Sequence, residues 1–173
     1  RTEKALLEWR NDPANIFYAQ SDELEKMGVT GEELQKLLNK DLSNAEWIIG
    51  RCAEENVSIM TLQDASYPQR LKNIADPPCV LYVKGHLPSV DTEPVIAVVG
   101  TRKCSFYGSK ITTDIAYEMA AKGALICTGL AEGIDSHAAK AALMAEGVAP
   151  RGKPTTQQVL MSVPSSSLAT KAA

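Results

Sequence analysis

The sequence lacks any metal-ligand pattern. Its four cysteines, at 52, 79, 104 and 127, form no Cys-x-x-Cys pair, and His86 and His137 stand at no ligand spacing to them. That argues against zinc and against a disulfide framework. No apolar run is long enough to span a membrane, and no signal-peptide pattern is present. Together with free thiols, this makes the cytoplasm the expected compartment. A strong positive field is missing too. The formal net charge is -3, so any nucleic-acid binding must rest on a local patch. There are no internal repeats. No nucleophile–base–acid set is visible, and no pair of carboxylates shares an obvious cleft.

What is present is concentrated in two strand-to-glycine turns. The first is Val95-Ile96-Ala97-Val98-Val99-Gly100-Thr101-Arg102, and the second Ala124-Leu125-Ile126-Cys127-Thr128-Gly129-Leu130-Ala131-Glu132-Gly133-Ile134-Asp135. Apolar runs that end in glycine read as buried parallel strands. Glycine lets the backbone approach a ligand, and the following helix aims its first N–H groups at the same place. The pattern predicts an anion site at the carboxyl ends of neighbouring parallel strands.

At 173 residues the chain has room for one full domain, or for a small domain with a partial one. Residues 1–56 read as short helices, with apolar marks at Leu6, Leu7 and Trp9, at 33–38, and at Ala45, Trp47, Ile48, Ile49 and Cys52. Trp9 and Trp47 are expected in the core of that part. Ser21 and Thr30 are candidate helix starts. An α/β core is expected over 57–147. Strands are predicted at 57–62, 80–83, 95–99 and 124–127, with a helical turn at 71–74. A helix at 106–122 would bury Ile111, Ile115 and Met119 at i, i+4, i+8. A second, at 135–146, would be capped by Asp135 or Ser136 and stopped by Gly147. Residues 148–173 form a divergent tail, in which 157–163 is a strand or a short helix. The fold class is therefore α/β: a Rossmann-like parallel sheet flanked by helices, preceded by a small helical segment.

The stretch from Tyr67 to Leu143 resembles the DNA-processing protein A family, DprA or Smf. The resemblance lies in Tyr67-Pro68 with Leu71, Ile74, Asp76-Pro77-Pro78 and Leu81-Tyr82-Val83-Lys84-Gly85. It continues through Val98-Val99-Gly100-Thr101-Arg102 with Ser105, Tyr107 and Gly108, and through Gly129-Leu130-Ala131-Glu132-Gly133-Ile134-Asp135 with Ala142-Leu143. It implies a Rossmann-like core that binds single-stranded DNA without sequence preference and loads the RecA recombinase during natural transformation. It also implies no catalysis, no cofactor, and partnership with single-stranded DNA, RecA and a second copy of the chain. The helical part resembles the tail of the family's small SAM-like domain. Two departures stand out. Ala139 occupies the position where the family usually has His, with His137 nearby. After Gly147 the family's further strand, second Tyr-Pro turn and Phe-Pro-x-Arg-Asn-Arg stretch are missing, which implies a truncated or divergent member.

The predicted DNA- and phosphate-binding residues are Gly100, Thr101, Arg102, Ser105, Tyr107, Gly108, Gly129 and Gly133. Arg102 is a bidentate phosphate donor beside a glycine turn. Gly129 and Gly133 would touch ligand by backbone alone. Ser105 can cap the helix or donate to phosphate. Tyr107 and Phe106 can stack a base or pack in the core. Lys84, Lys103 and Lys110 read as solvated lysines or as added positive field. Asp135 reads as a capping carboxylate that holds the loop's shape, and Glu132 must face away from an anion. Alternative functions are a nucleotide-binding sensor or a nucleotide phosphoribohydrolase-like enzyme on a related core. The latter's Pro-Gly-Gly-x-Gly-Thr loop is absent. The Gly-x-Gly-x-x-Gly fingerprint of dinucleotide redox enzymes is also absent.

Overall fold

Apolar residues spaced for helices fill the first third of the chain, and the computed structural model, which describes residues 2–145 and 160–162, folds them accordingly. The helices are α1 (Thr2–Trp9), α2 (Pro13–Phe17), α3 (Ser21–Lys26), α4 (Gly31–Leu38) and α5 (Ser43–Glu54). Local chemistry sets their starts. Asp12 accepts a hydrogen bond from the Ala14 amide at 2.9 Å, with Pro13 in the first turn of α2. Gln20, one residue before the expected Ser21, caps α3, and its amide donates to Glu23 at 3.3 Å. Thr30 caps α4 by position, without a side-chain bond.

Leu6, Ile16, Ala19, Leu24 and Val29 form the buried cluster of this part, with Leu7, Trp9, Leu34 and Leu37 packed against it. Trp9 meets its expectation. Trp47 does not: it is 54% exposed, and α5 contributes no buried residue. The cluster closes on α1 to α3 and the turn at Val29, while α5 contacts strand β1 (Val57–Thr61) instead.

Strand β1 and strand β2 (Val80–Lys84) are joined through a short helix α6 (Gln69–Lys72), two residues earlier than the predicted turn at 71–74. Tyr67 is buried, and its hydroxyl donates to the Pro78 carbonyl at 2.7 Å, so Tyr67-Pro68 and Asp76-Pro77-Pro78 form one structural lock. Burial raises the Tyr67 phenol above its ordinary pKa. The amides of Gln69 and Arg70 both donate to the Asp91 carboxylate at 2.8 Å, which caps α6 from another loop.

The α/β core follows with strand β3 (Val95–Ala97), helix α7 (Phe106–Ala121), strand β4 (Leu125–Cys127) and helix α8 (Ile134–Met144). Strands β3 and β4 pair in parallel, with Val95 opposite Leu125, Ile96 opposite Ile126 and Ala97 opposite Cys127. Helices flank these parallel strands, as the fold class requires. Strand β5 (Leu160–Ser162) follows in the order β1-β2-β5, so 160–162 is strand, while 157–159 and 163 lie outside the described residues. The predicted stop at Gly147 lies outside the described residues.

Helix α7 does not bury the expected face. Ile115 is 51% exposed, and Met119 is exposed as well. The buried stripe is Ala116 and Ala120, packed near Ala138, Ala141, Ala142 and Ala145 with Tyr117 and Ile126. Alanine lets the α7 and α8 backbones approach closely, and that approach turns α7 by one residue from the face its larger side chains suggest. By contact the described chain parts into residues 2–67 with 71–82, and 68–70 with 83–145 and 160–162. The expected boundary at 147/148 lies outside the described residues.

Candidate functional site

Parallel pairing brings the carboxyl ends of β3 and β4 together, so the loops that leave them are neighbours. Their geometry centres on Asp135, which is only 5% exposed. One carboxylate oxygen accepts from the Gly100 amide at 3.1 Å, and the other from the Gly129 amide at 3.1 Å. A single side chain therefore ties both glycine turns. Gly129 and Gly133 were expected to touch ligand by backbone; in this structure the Gly129 amide, like that of Gly100, is donated to Asp135.

Gly133 has a structural role of its own. It is the N-cap of α8, displacing the expected Asp135 or Ser136, and sits at φ 84°, ψ −129°. A Cβ there would lie 2.3 Å from the Thr101 carbonyl oxygen and 2.5 Å from that of Arg102. The Ile134 amide donates to the same Thr101 oxygen at 3.2 Å. Gly100 in turn has the Ile134 side chain where its own Cβ would be, at 2.7 Å. The first loop is thus clamped onto the first turn of α8 by close backbone approach. Thr101 shapes that loop internally, its hydroxyl donating to the Lys103 carbonyl at 3.3 Å and accepting from the Lys103 amide at 3.2 Å.

The side chains offered to solvent come next. Arg102 and Lys103 are exposed on the first loop. Ser105 caps α7, accepting from the Gly108 amide at 3.1 Å, which leaves its own proton for donation. Phe106 is 85% exposed and Tyr107 72%, so neither packs in the core. Lys110 pairs with Asp114 at 2.9 Å. Glu132 is exposed on the second loop, and His137 is half-buried, its amide bonded to the Gly133 carbonyl. Among the described residues no group of three or more His, Cys, Asp or Glu is placed to hold a metal ion. The arrangement is a rigid, glycine-clamped platform with an exposed guanidinium, an ammonium and two aromatic rings along its rim.

The two-amide grip of Asp135 and the packing of Ile134 beneath Gly100 escape a reading of the sequence, because both are contacts between separate segments. The acid after Gly-Ile was the available signal.

The family model of DNA recombination-mediator protein A matches residues 58–156. The chain belongs to this family. It is 33% identical over 100 residues to DNA processing protein DprA of Bacillus subtilis (strain 168), covering 58% of this chain and 34% of that one. To Protein Smf of Escherichia coli (strain K12) it is 32% identical over 125 residues, covering 72% and 33%. The X-ray structure of DprA from Streptococcus pneumoniae matches with a TM-score of 0.61 and 25% identity, over 83% of this chain and 49% of that one. The chain spans about a third of the length of these two curated relatives. The match to the recombination-mediator family includes both glycine turns and the whole α7 rim. Among the described residues no helix is long and apolar enough to cross a membrane.

Proposed function

We propose that the chain binds single-stranded DNA without sequence preference and passes it to the RecA recombinase in the cytoplasm during DNA uptake, as a non-catalytic factor that pairs with a second copy of itself. The observation that carries the binding half is the rim of exposed Arg102, Lys103, Phe106 and Tyr107 on loops held rigid by Asp135. A guanidinium meets phosphate oxygens in a bidentate fork. Exposed rings stack on any base, at about 1–3 kcal/mol per base, which gives affinity without sequence readout. The remaining predicted residues act through this frame. Gly100, Gly129 and Gly133 shape it, Thr101 turns the first loop, Gly108 completes the α7 cap, and Ser105 adds a hydroxyl donor. Family membership supports the DNA-processing role, and the RecA and dimer partnerships rest on the resemblance.

Titrating oligo-dT and a single nucleotide against the full chain tests this. Oligo-dT is expected to bind, and the mononucleotide to fail as a competitor. Equal competition by the mononucleotide would favour a nucleotide sensor, and release of free base would favour a phosphoribohydrolase-like enzyme.

A further inference from the structure

Adjacent parallel strands that end in glycine, followed by a helix N-terminus, ordinarily form a cradle for phosphate or pyrophosphate. In this chain the cradle already holds an anion. The two oxygens of Asp135 take one amide from each loop, Gly100 and Gly129, both at 3.1 Å. The carboxylate is buried, and it comes from the first turn of the helix whose N-terminus would otherwise receive the ligand. The loops are closed around it from the other side as well. The Ile134 amide holds the Thr101 carbonyl, and Gly133 leaves no room between them for so much as a methyl group.

We propose that Asp135 is an internal anion that occupies the paired Gly100 and Gly129 amides in place of a ligand phosphate, and thereby excludes free phosphate from the glycine turns. A second anion at that spot would find both donors taken and a like charge beside it. Ligand phosphates must then be met farther out, by the Arg102 and Lys103 side chains. The Arg102 fork and the Lys103 point charge meet phosphates from one side along a backbone and do not enclose one terminal phosphate. The consequence for ligand choice rests on the polynucleotide reading above; the occupancy of the amides does not. Asparagine cannot replace the carboxylate in this role. Its amide nitrogen would confront one of the two N–H groups with another donor.

The test is amide hydrogen exchange and phosphate titration followed by NMR on the full chain. In the unaltered protein the Gly100 and Gly129 amides are expected to exchange at least about 100-fold more slowly than unstructured amides. Millimolar inorganic phosphate, compared with chloride at equal ionic strength, is expected to shift neither resonance. In Asp135→Asn one of the two amides should lose its protection, and phosphate should now perturb the pair. Unprotected amides in the unaltered protein would overturn the proposal, as would phosphate moving both resonances equally in the two proteins. If Asp135→Asn does not fold, the measurements on the unaltered chain still decide. Protected, phosphate-silent amides in a chain that fails to bind oligo-dT would uphold the internal anion and refute the proposed function alone.

Discussion

Replacing Gly133 with alanine probes the clamp between the two loops. Two costs add. At φ 84°, ψ −129° the backbone sits where L-residues are strained, at about 1–3 kcal/mol. The new methyl would also lie 2.3 Å and 2.5 Å from two main-chain oxygens, which belong to a loop and not to a flexible side-chain tip. Overpacking of that kind costs about another 1–3 kcal/mol, so Gly133→Ala should lose about 2–6 kcal/mol. Gly28→Ala is the control. Gly28 has a similar φ of 82° but nothing within 4 Å of its added Cβ, so only the local strain applies, about 1 kcal/mol. Both tryptophans, Trp9 and Trp47, lie in the 2–67 segment and neither in the unit that holds Gly133, so tryptophan fluorescence does not report that unit directly. The unfolding of Gly133→Ala should therefore be followed by far-ultraviolet circular dichroism in urea, and that of Gly28→Ala by fluorescence. A loss at Gly133 no larger than that at Gly28 would refute the close approach of the two segments.

Two further outcomes follow from the fold. Asp91 is held below the ordinary carboxylate pKa, first by the Arg70 amide and then by the Gln69 amide. A lowered folded pKa gives stability that is present above the unfolded value, near 4, and lost as pH falls through the folded one. Exchange of the Gln69 and Arg70 amides should therefore accelerate relative to their neighbours on acidification below about pH 4, and Asp91→Asn should abolish that pH dependence. Unchanged acid sensitivity in the variant would count against the cap. Tyr67→Phe removes the bond to the Pro78 carbonyl and leaves a part-buried acceptor, so it should cost about 1–2 kcal/mol in fluorescence-detected unfolding. A neutral substitution would show that the Tyr67 lock does not hold the turn.

Strand-to-glycine transitions were legible because periodicity and punctuation are local. Apolar runs before Gly100 and Gly129 became β3 and β4 in parallel, though β3 ends at Ala97, short of the expected 99, and Val99 is 73% exposed; Ser105, three residues before Gly108, became the cap of α7. Helix faces were less legible. Spacing favoured Ile115 and Met119, yet Ala116 and Ala120 are buried, because contact between α7 and α8 rewards small residues, which a hydrophobicity pattern undervalues. Trp47 failed for a related reason: an apolar residue on an amphipathic helix needs a partner, and the helical core closed without α5. The site was half legible. Asp135 stood out as an acid that holds the loop, but the bond to Gly100 joins residues 35 apart, and nothing in the local pattern specifies it. The exposure of Phe106 was equally beyond a local reading, since core and surface positions share the same spacing.

The central claim is that exposed side chains on an Asp135-braced platform bind the phosphates of single-stranded DNA. The most direct measurement is the salt dependence of oligo-dT affinity for the unaltered chain and for Arg102→Ala. Each phosphate contact on a single strand contributes about 0.7 to the slope of log affinity against log salt, so Arg102→Ala should bind more weakly with a slope shallower by about 0.7–1. An unchanged slope in a folded Arg102→Ala variant would contradict the claim and remove Arg102 from the interface.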